Sequence, residues 1–141
     1  MLHLVMMNQK NHMRMIGIDY GDKKIGLALG DSETNVAVPL DVIQNTDPLY
    51  QTIADLIKSE AIDQVVVGVP LSTTDGPGSP QLEKTRQFIQ ELRHVVSIPI
   101  HEEDERYTTT ESIRLQREEG ASAEDDALAA MLILQAYLDQ Q

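Results

Sequence analysis

The chain has 141 residues, no cysteine and a formal net charge of −12. That length is one ordinary domain, able to bury a core without staples, and the missing thiols exclude a disulfide framework and a thiolate metal centre, as suits a reducing compartment such as the cytoplasm. The longest apolar runs fall far short of the roughly 20 residues needed to cross a bilayer, and the surplus of acid argues against the broad basic surface by which most proteins hold nucleic acid.

Residues 1–12 are apolar but lack the basic front and small-residue cleavage site of a secretory signal. They are expected to be a flexible tail ahead of a single domain over residues 13–141. Residues 13–19 read as a strand, Tyr20-Gly21-Asp22 as a turn, and residues 24–30 as a second strand with large side chains at alternate positions, which makes a hairpin. Residues 35–43 supply a third strand, with Pro39 marking an edge or a bulge. Asp47-Pro48 has the form of an N-cap followed by proline at the first helical position, and Leu49, Ile53, Leu56 and Ile57 then fall on one stripe. The β-branched run over residues 64–68 is the pattern of a strand buried on both faces, expected at the sheet centre. Residues 72–80 read as a loop, and Ser79-Pro80 repeats the cap-plus-proline start for a helix carrying Leu82, Phe88, Ile89 and Leu92. Residues 95–101 give a short fifth strand. Thr108-Thr109-Thr110-Glu111 and Ser122-Ala123-Glu124-Asp125 both have the capping-box form and open two last helices. The order βββαβαβαα implies an α/β fold: three antiparallel strands, then two parallel ones, with helices on the sheet faces because each parallel return needs a crossover.

The acid is unevenly spread. Residues 101–141 hold eleven acidic and three basic side chains, against twelve and eight in residues 1–100. A solvated face is the ordinary meaning of such a run, and a cation site is the sharper one. Asp19 ends the first strand before a glycine turn, where aspartate is common turn chemistry. Asp104 and Glu105 follow the last strand, and Asp126 falls in the first turn or so of the last helix. Asp125 is accounted for as the reciprocal partner of Ser122. Asp126 instead heads residues 127–134, apolar nearly all round, where a carboxylate needs a cation or water. Carboxylates at the ends of three separate elements are what hydrolysis of a phosphodiester by divalent ions requires: one ion lowers the pKa of the attacking water while another holds the leaving oxygen. Magnesium suits such ligands. Neighbours in an extended segment point to opposite faces, so only one of Asp104 and Glu105 faces the metal, and Glu105 is favoured. Arg106 either neutralises its neighbours or reaches a substrate phosphate, the ion pair being favoured.

Four segments carry a family resemblance: Ile16-Gly17-Ile18-Asp19-Tyr20-Gly21-Asp22-Lys23-Lys24-Ile25-Gly26, Val65-Val66-Val67-Gly68-Val69-Pro70-Leu71, Asp104-Glu105-Arg106-Tyr107-Thr108-Thr109 and Asp126-Ala127-Leu128-Ala129-Ala130. In this order and spacing the chain resembles the YqgF or RuvX group of pre-16S ribosomal RNA nucleases and Holliday junction resolvase-like proteins. The resemblance implies a ribonuclease H-like fold and an acidic site at Asp19, the Asp104–Glu105 pair and Asp126, acting with Mg2+ or Mn2+. It implies further that Gly21, Lys23 and the Gly68–Pro70–Leu71 turn line the substrate cleft, and that Asp75-Gly76 lies in a mobile loop. The chain departs from the family pattern at Ser72, at the acidic Ser122-Ala123-Glu124-Asp125 and in its leading dozen residues. Lys23, Lys24, Lys84, Arg86 and Arg106 are the few cations available to phosphates of a pre-rRNA, a pre-ribosomal particle or branched DNA. A monomer or weak homodimer is expected, since no strong dimer surface is legible. Two rival readings stand beside the nuclease. Asp19-Tyr20-Gly21 also looks like the phosphate loop of actin-type and sugar-kinase phosphotransferases, although 141 residues hold only one of their two domains. The fold also suits a non-catalytic ribosome-assembly factor.

Overall fold

In a computed structural model, the described residues are 12–71, 79–105 and 123–141. The elements run β1 (Arg14–Tyr20), β2 (Lys24–Asp31), β3 (Val36–Gln44), α1 (Leu49–Ser59), β4 (Gln64–Val69), α2 (Pro80–Arg93), β5 (Ile100–Asp104) and α3 (Ala123–Asp139). Several expectations fall outside these residues: the tail up to residue 11, most of the loop with Asp75-Gly76, Arg106, the helix opened at Thr108, and the Ser122 cap. Among the described residues no helix is long and apolar enough to cross a membrane.

The five strands lie in the order β3-β2-β1-β4-β5. The β1–β2 and β2–β3 pairs are antiparallel, and β1–β4 and β4–β5 are parallel. The mixed sheet is therefore as expected, but β1, not β4, holds its centre. Pro39 does lie on an edge strand, where its missing N–H costs no ladder bond. A register shift falls between Leu27 and Ala28, which pair with Asp41 and Pro39 and leave Leu40 as the extra residue.

Alternation along the strands sorts side chains into two layers. Ile16, Ile18, Ile25, Leu27, Val65 and Val67 face α1 and α2, packing with Ile53, Phe88, Ile89 and Leu92. Met15, Ala28 and Val66 face α3, packing with Ala130, Ile133, Leu134 and Leu138. Small residues on that second face let α3 lie close. A Cβ at Gly17 would fall 2.7 Å from Leu134 Cβ, and one at Gly30 would fall 2.8 Å from Leu134 Cδ2.

The start of α2 is as the sequence predicts. Ser79 is the N-cap, its side chain accepts from Leu82 N at 3.1 Å, and Pro80 occupies the first helical position. Because that Ser79 cap is only 3% exposed, water replaces the lost acceptor poorly. Ser79→Ala is expected to cost about 1 kcal/mol of unfolding free energy, read from a urea midpoint.

Three expectations are corrected. At α1, Pro48 itself is the N-cap, reached through a cis bond from Asp47, and no side chain caps the helix. Its carbonyl accepts from both Thr52 N and Thr52 Oγ1. The fifth strand is not residues 95–101 but Ile100–Asp104. Val95 N and Val96 N both donate to Leu92 O and finish the α2 turn, and Pro99 has only a carbonyl, taken by Val65 N. Pairing with β4 from Val65↔Ile100 to Val69↔Asp104 then carries the strand through the acidic stretch. Asp104 accordingly ends the strand, and only Glu105 follows it.

Candidate active site

Asp19 is the sixth residue of β1 and, on the alternation that buries Met15 and Gly17 under α3, faces the same helix. It is 0% exposed. Its antiparallel partner is Gly26, and Gly26 fixes the next ligand candidate. A Cβ there would fall 2.0 Å from the Asp126 carbonyl oxygen, so the first turn of α3 rests on bare β2 backbone. Only glycine permits that approach, and it sets Asp126, 3% exposed, above the strand beside Asp19.

The other side of Asp19 is built the same way. Ile18 pairs with Val67, so Gly68 is the β4 neighbour of Asp19. A Cβ on Gly68 would fall 2.4 Å from Ile133 Cδ1 and 3.0 Å from Glu105 Oε1. Glu105, 4% exposed, therefore comes in over Gly68 on the α3 face. Asp126 thus lies over the β2 neighbour of Asp19, and Glu105 over its β4 neighbour. Asp19 Oδ2 and Glu105 Oε1 are both shut off from solvent. Alternation turns Asp104 away, to the side where Glu102 meets Arg86 of α2.

The sequence reading missed Glu103. It is 5% exposed and lies two residues from Glu105 on the same face, its Oε2 accepting from Gln140 Nε2 at 2.7 Å. Burial pushes its carboxyl above the ordinary range, the Gln140 bond pulls it back, and Asp104 adds a further push upward. The missing signal was the strand's true register: once β5 runs to Asp104, residues 101, 103 and 105 share a face. His101, on that face, stacks on Tyr137 at 5.3 Å.

The cations distribute differently from expectation. Arg86 spends its fork on Glu102, at 3.3 and 3.1 Å, and Lys84 reaches Asp22 at 3.4 Å. Both pairs are exposed and worth little to stability. Lys23 and Lys24 are exposed at the β1–β2 turn, beside Gly21, whose carbonyl accepts from Asn45 Nδ2. Pro70 is buried and Leu71 half-buried just beyond Gly68.

Three elements thus bring Asp19, Glu105 and Asp126 to the end of the sheet where β1 and β4 finish. Their carboxylate oxygens are donors of the kind that suit a hard divalent cation. A different group, His12, Asp31 and Glu33, places ligand atoms within 4.8 Å of one another. It lies at the other end of β2, five strand residues and roughly 17 Å from Gly26. Its imidazole faces both carboxylates at the surface, at 4.0 and 3.5 Å.

A mixed sheet in this order, covered by helices on both faces, defines the ribonuclease H-like class. Within it, the chain belongs to the RuvX family, described as Holliday junction resolvase, which matches residues 13–140. It is a family of nucleases. A protein of Ruminiclostridium cellulolyticum named "Putative pre-16S rRNA nuclease" is 34% identical over 91% of this chain and 95% of its own. One of the same name from Sulfurihydrogenibium is 37% identical over 90% of each. Among solved structures, Thermus thermophilus RuvC in complex with a Holliday junction substrate superposes with a TM-score of 0.58 at 13% identity, covering 91% of this chain and 95% of that one. The fowlpox virus Holliday junction resolvase gives 0.55 at 14% identity, covering 92% and 100%.

Proposed function

We propose that this protein is a divalent-metal-dependent endonuclease that cuts structured RNA, its substrate being the 5′ end of 16S ribosomal RNA precursor in the cytoplasm. The observation that carries this reading is the arrival of Asp19, Glu105 and Asp126 from β1, the end of β5 and α3 at one end of the sheet. Relatives at 34–37% identity named for pre-16S rRNA support the substrate. When bound, Mg2+ or Mn2+ would lower the pKa of the attacking water and offset charge on the leaving oxygen. The protein's part is to hold the ligand oxygens rigidly. Asp19 is carried by its strand, Asp126 by the seat of α3 on Gly26, and Glu105 lies over the bare backbone of Gly68. Lys23 and Lys24 stand at the adjoining turn, where they would meet the phosphate backbone and make binding salt-dependent.

Purified protein is expected to cut precursor RNA with Mg2+ or Mn2+, to stop when the ions are chelated, and to resume when they return. Equal cutting after chelation overturns the metal reading. The family's description supports a second reading, resolution of branched DNA. Junction DNA offered beside the RNA under the same conditions distinguishes them by relative kcat/KM.

A further inference from the structure

Tyr20 follows Asp19 in β1, so its side chain leaves the opposite face of the sheet at the same end of the strand. There it meets Phe88 of α2 at a ring-centroid distance of 4.6 Å, and Tyr50 of α1 meets the same Phe88 at 5.7 Å. The whole chain has four tyrosines, one phenylalanine and no tryptophan, so three of its five aromatic rings are gathered here. Core packing accounts for Phe88, which is 1% exposed. The two tyrosines pack one side against that core but stay half-exposed, and with Glu83, Lys84 and Glu91 they line an open pocket of about 350 Å³.

The pocket's side chains are held by hydrogen bonds. Tyr50 Oη donates to Glu91 Oε2 at 2.5 Å, and Gln87 Nε2 donates to Glu91 Oε1 at 3.1 Å. Those two bonds hold the Glu91 carboxyl below its ordinary range, so it stays an ionised acceptor. Gln81 Nε2 donates to the Tyr20 carbonyl at 3.3 Å, and Lys84 ties the Asp22 turn to α2. The lining pairs aromatic faces with carboxylate acceptors. A phosphate is repelled by Glu83 and Glu91, whereas a nucleobase presents a π-face to the rings and amino N–H donors to the acids.

We propose that the Tyr20–Tyr50–Phe88 pocket is a nucleobase-stacking subsite, receiving a base of the substrate strand near the phosphate at Asp19, Glu105 and Asp126, since Tyr20 directly follows Asp19 in β1. It selects a base with an exocyclic amino group. This inference rests on the nuclease reading above, and its test separates the two. The probe is a labelled RNA oligonucleotide covering the cut site, intact or with one abasic residue stepped across it.

Wild-type protein is expected to show a KM about tenfold higher when the abasic residue falls at one position near the cut, a stacking loss of ordinary size. Tyr50→Leu, which keeps apolar packing on Phe88 without the π-face, raises KM similarly on intact RNA and removes the positional dependence, while Tyr50→Phe, which keeps the ring, recovers it. Circular dichroism confirms that each variant is folded. Binding of the same RNAs to Asp19→Asn protein, followed by fluorescence anisotropy, reads the subsite without cleavage. Loss of affinity in Asp19→Asn/Tyr50→Leu without cutting by wild type supports the subsite and sinks the nuclease. Metal-dependent cutting with Tyr50→Leu unchanged in both KM and affinity overturns the subsite alone.

Discussion

Asp19→Asn is expected to slow metal-dependent cleavage by at least about a thousandfold while leaving the protein folded. Asparagine matches aspartate in size, so the buried position of Asp19 is refilled without a cavity. What goes is one negative charge and one ligand oxygen. Stabilisation of transition-state charge by bound ions is worth several kcal/mol, and about 4 kcal/mol is a thousandfold in rate. Fold and activity are predicted to part company, because the substitution keeps the side-chain volume while removing a ligand charge. Asp55→Asn, at an exposed position on α1, serves as the control and should cut normally.

The same assay decides between the neighbours. Glu105→Gln is expected to match Asp19→Asn, whereas Asp104→Asn, on the other face of β5, should retain most of the rate. Asp19→Asn protein that keeps more than a tenth of wild-type kcat removes Asp19 from the site.

Much of this architecture is legible in the residues, and the exceptions have physical causes. Hairpin alternation finds β1 and β2, and Ser79-Pro80 finds α2 because a hydroxyl acceptor followed by a residue without N–H matches the unsatisfied donors of a helix start. The last strand is misread because Val95, Val96 and Ile98 look like strand and Glu102-Glu103-Asp104 does not. Local preference for strand is weak, and parallel pairing with β4 overrides it. The same error hides Glu103, since the face a residue occupies follows from register. The Asp47-Pro48 motif fails differently: the sequence shows a cap and a proline but not which of them takes the N-cap position. Arg86 and Lys84 could be recognised as cations, but their partners Glu102 and Asp22 lie 16 and 62 residues away.

The small side chains of β2 carry a further signal. Gly26, Ala28 and Gly30 alternate as small residues opposite the large Ile25, Leu27 and Leu29, which marks a face made for a helix to approach backbone to backbone. That face is where the candidate site is assembled.

Gly26→Ala is expected to lower stability by about 3 kcal/mol, or roughly 10 °C in Tm, and to cut activity nearly as far as loss of Asp126. The atoms an added Cβ would meet are Asp126 O at 2.0 Å, Asp126 C at 2.6 Å and Ala127 N at 3.3 Å. All three are backbone, so no rotamer change relieves the clash and the first turn of α3 must lift from β2. Lifting it separates Asp126 from Asp19, the direct partner of Gly26, without altering any ligand. Cleavage measured well below the lowered Tm isolates this displacement from unfolding, and it should be accompanied by a weaker Mn2+ titration. Gly26→Ala protein with wild-type Tm and rate would mean that α3 does not rest on β2 at this point, and the assembly of Asp19 with Asp126 would fall with it.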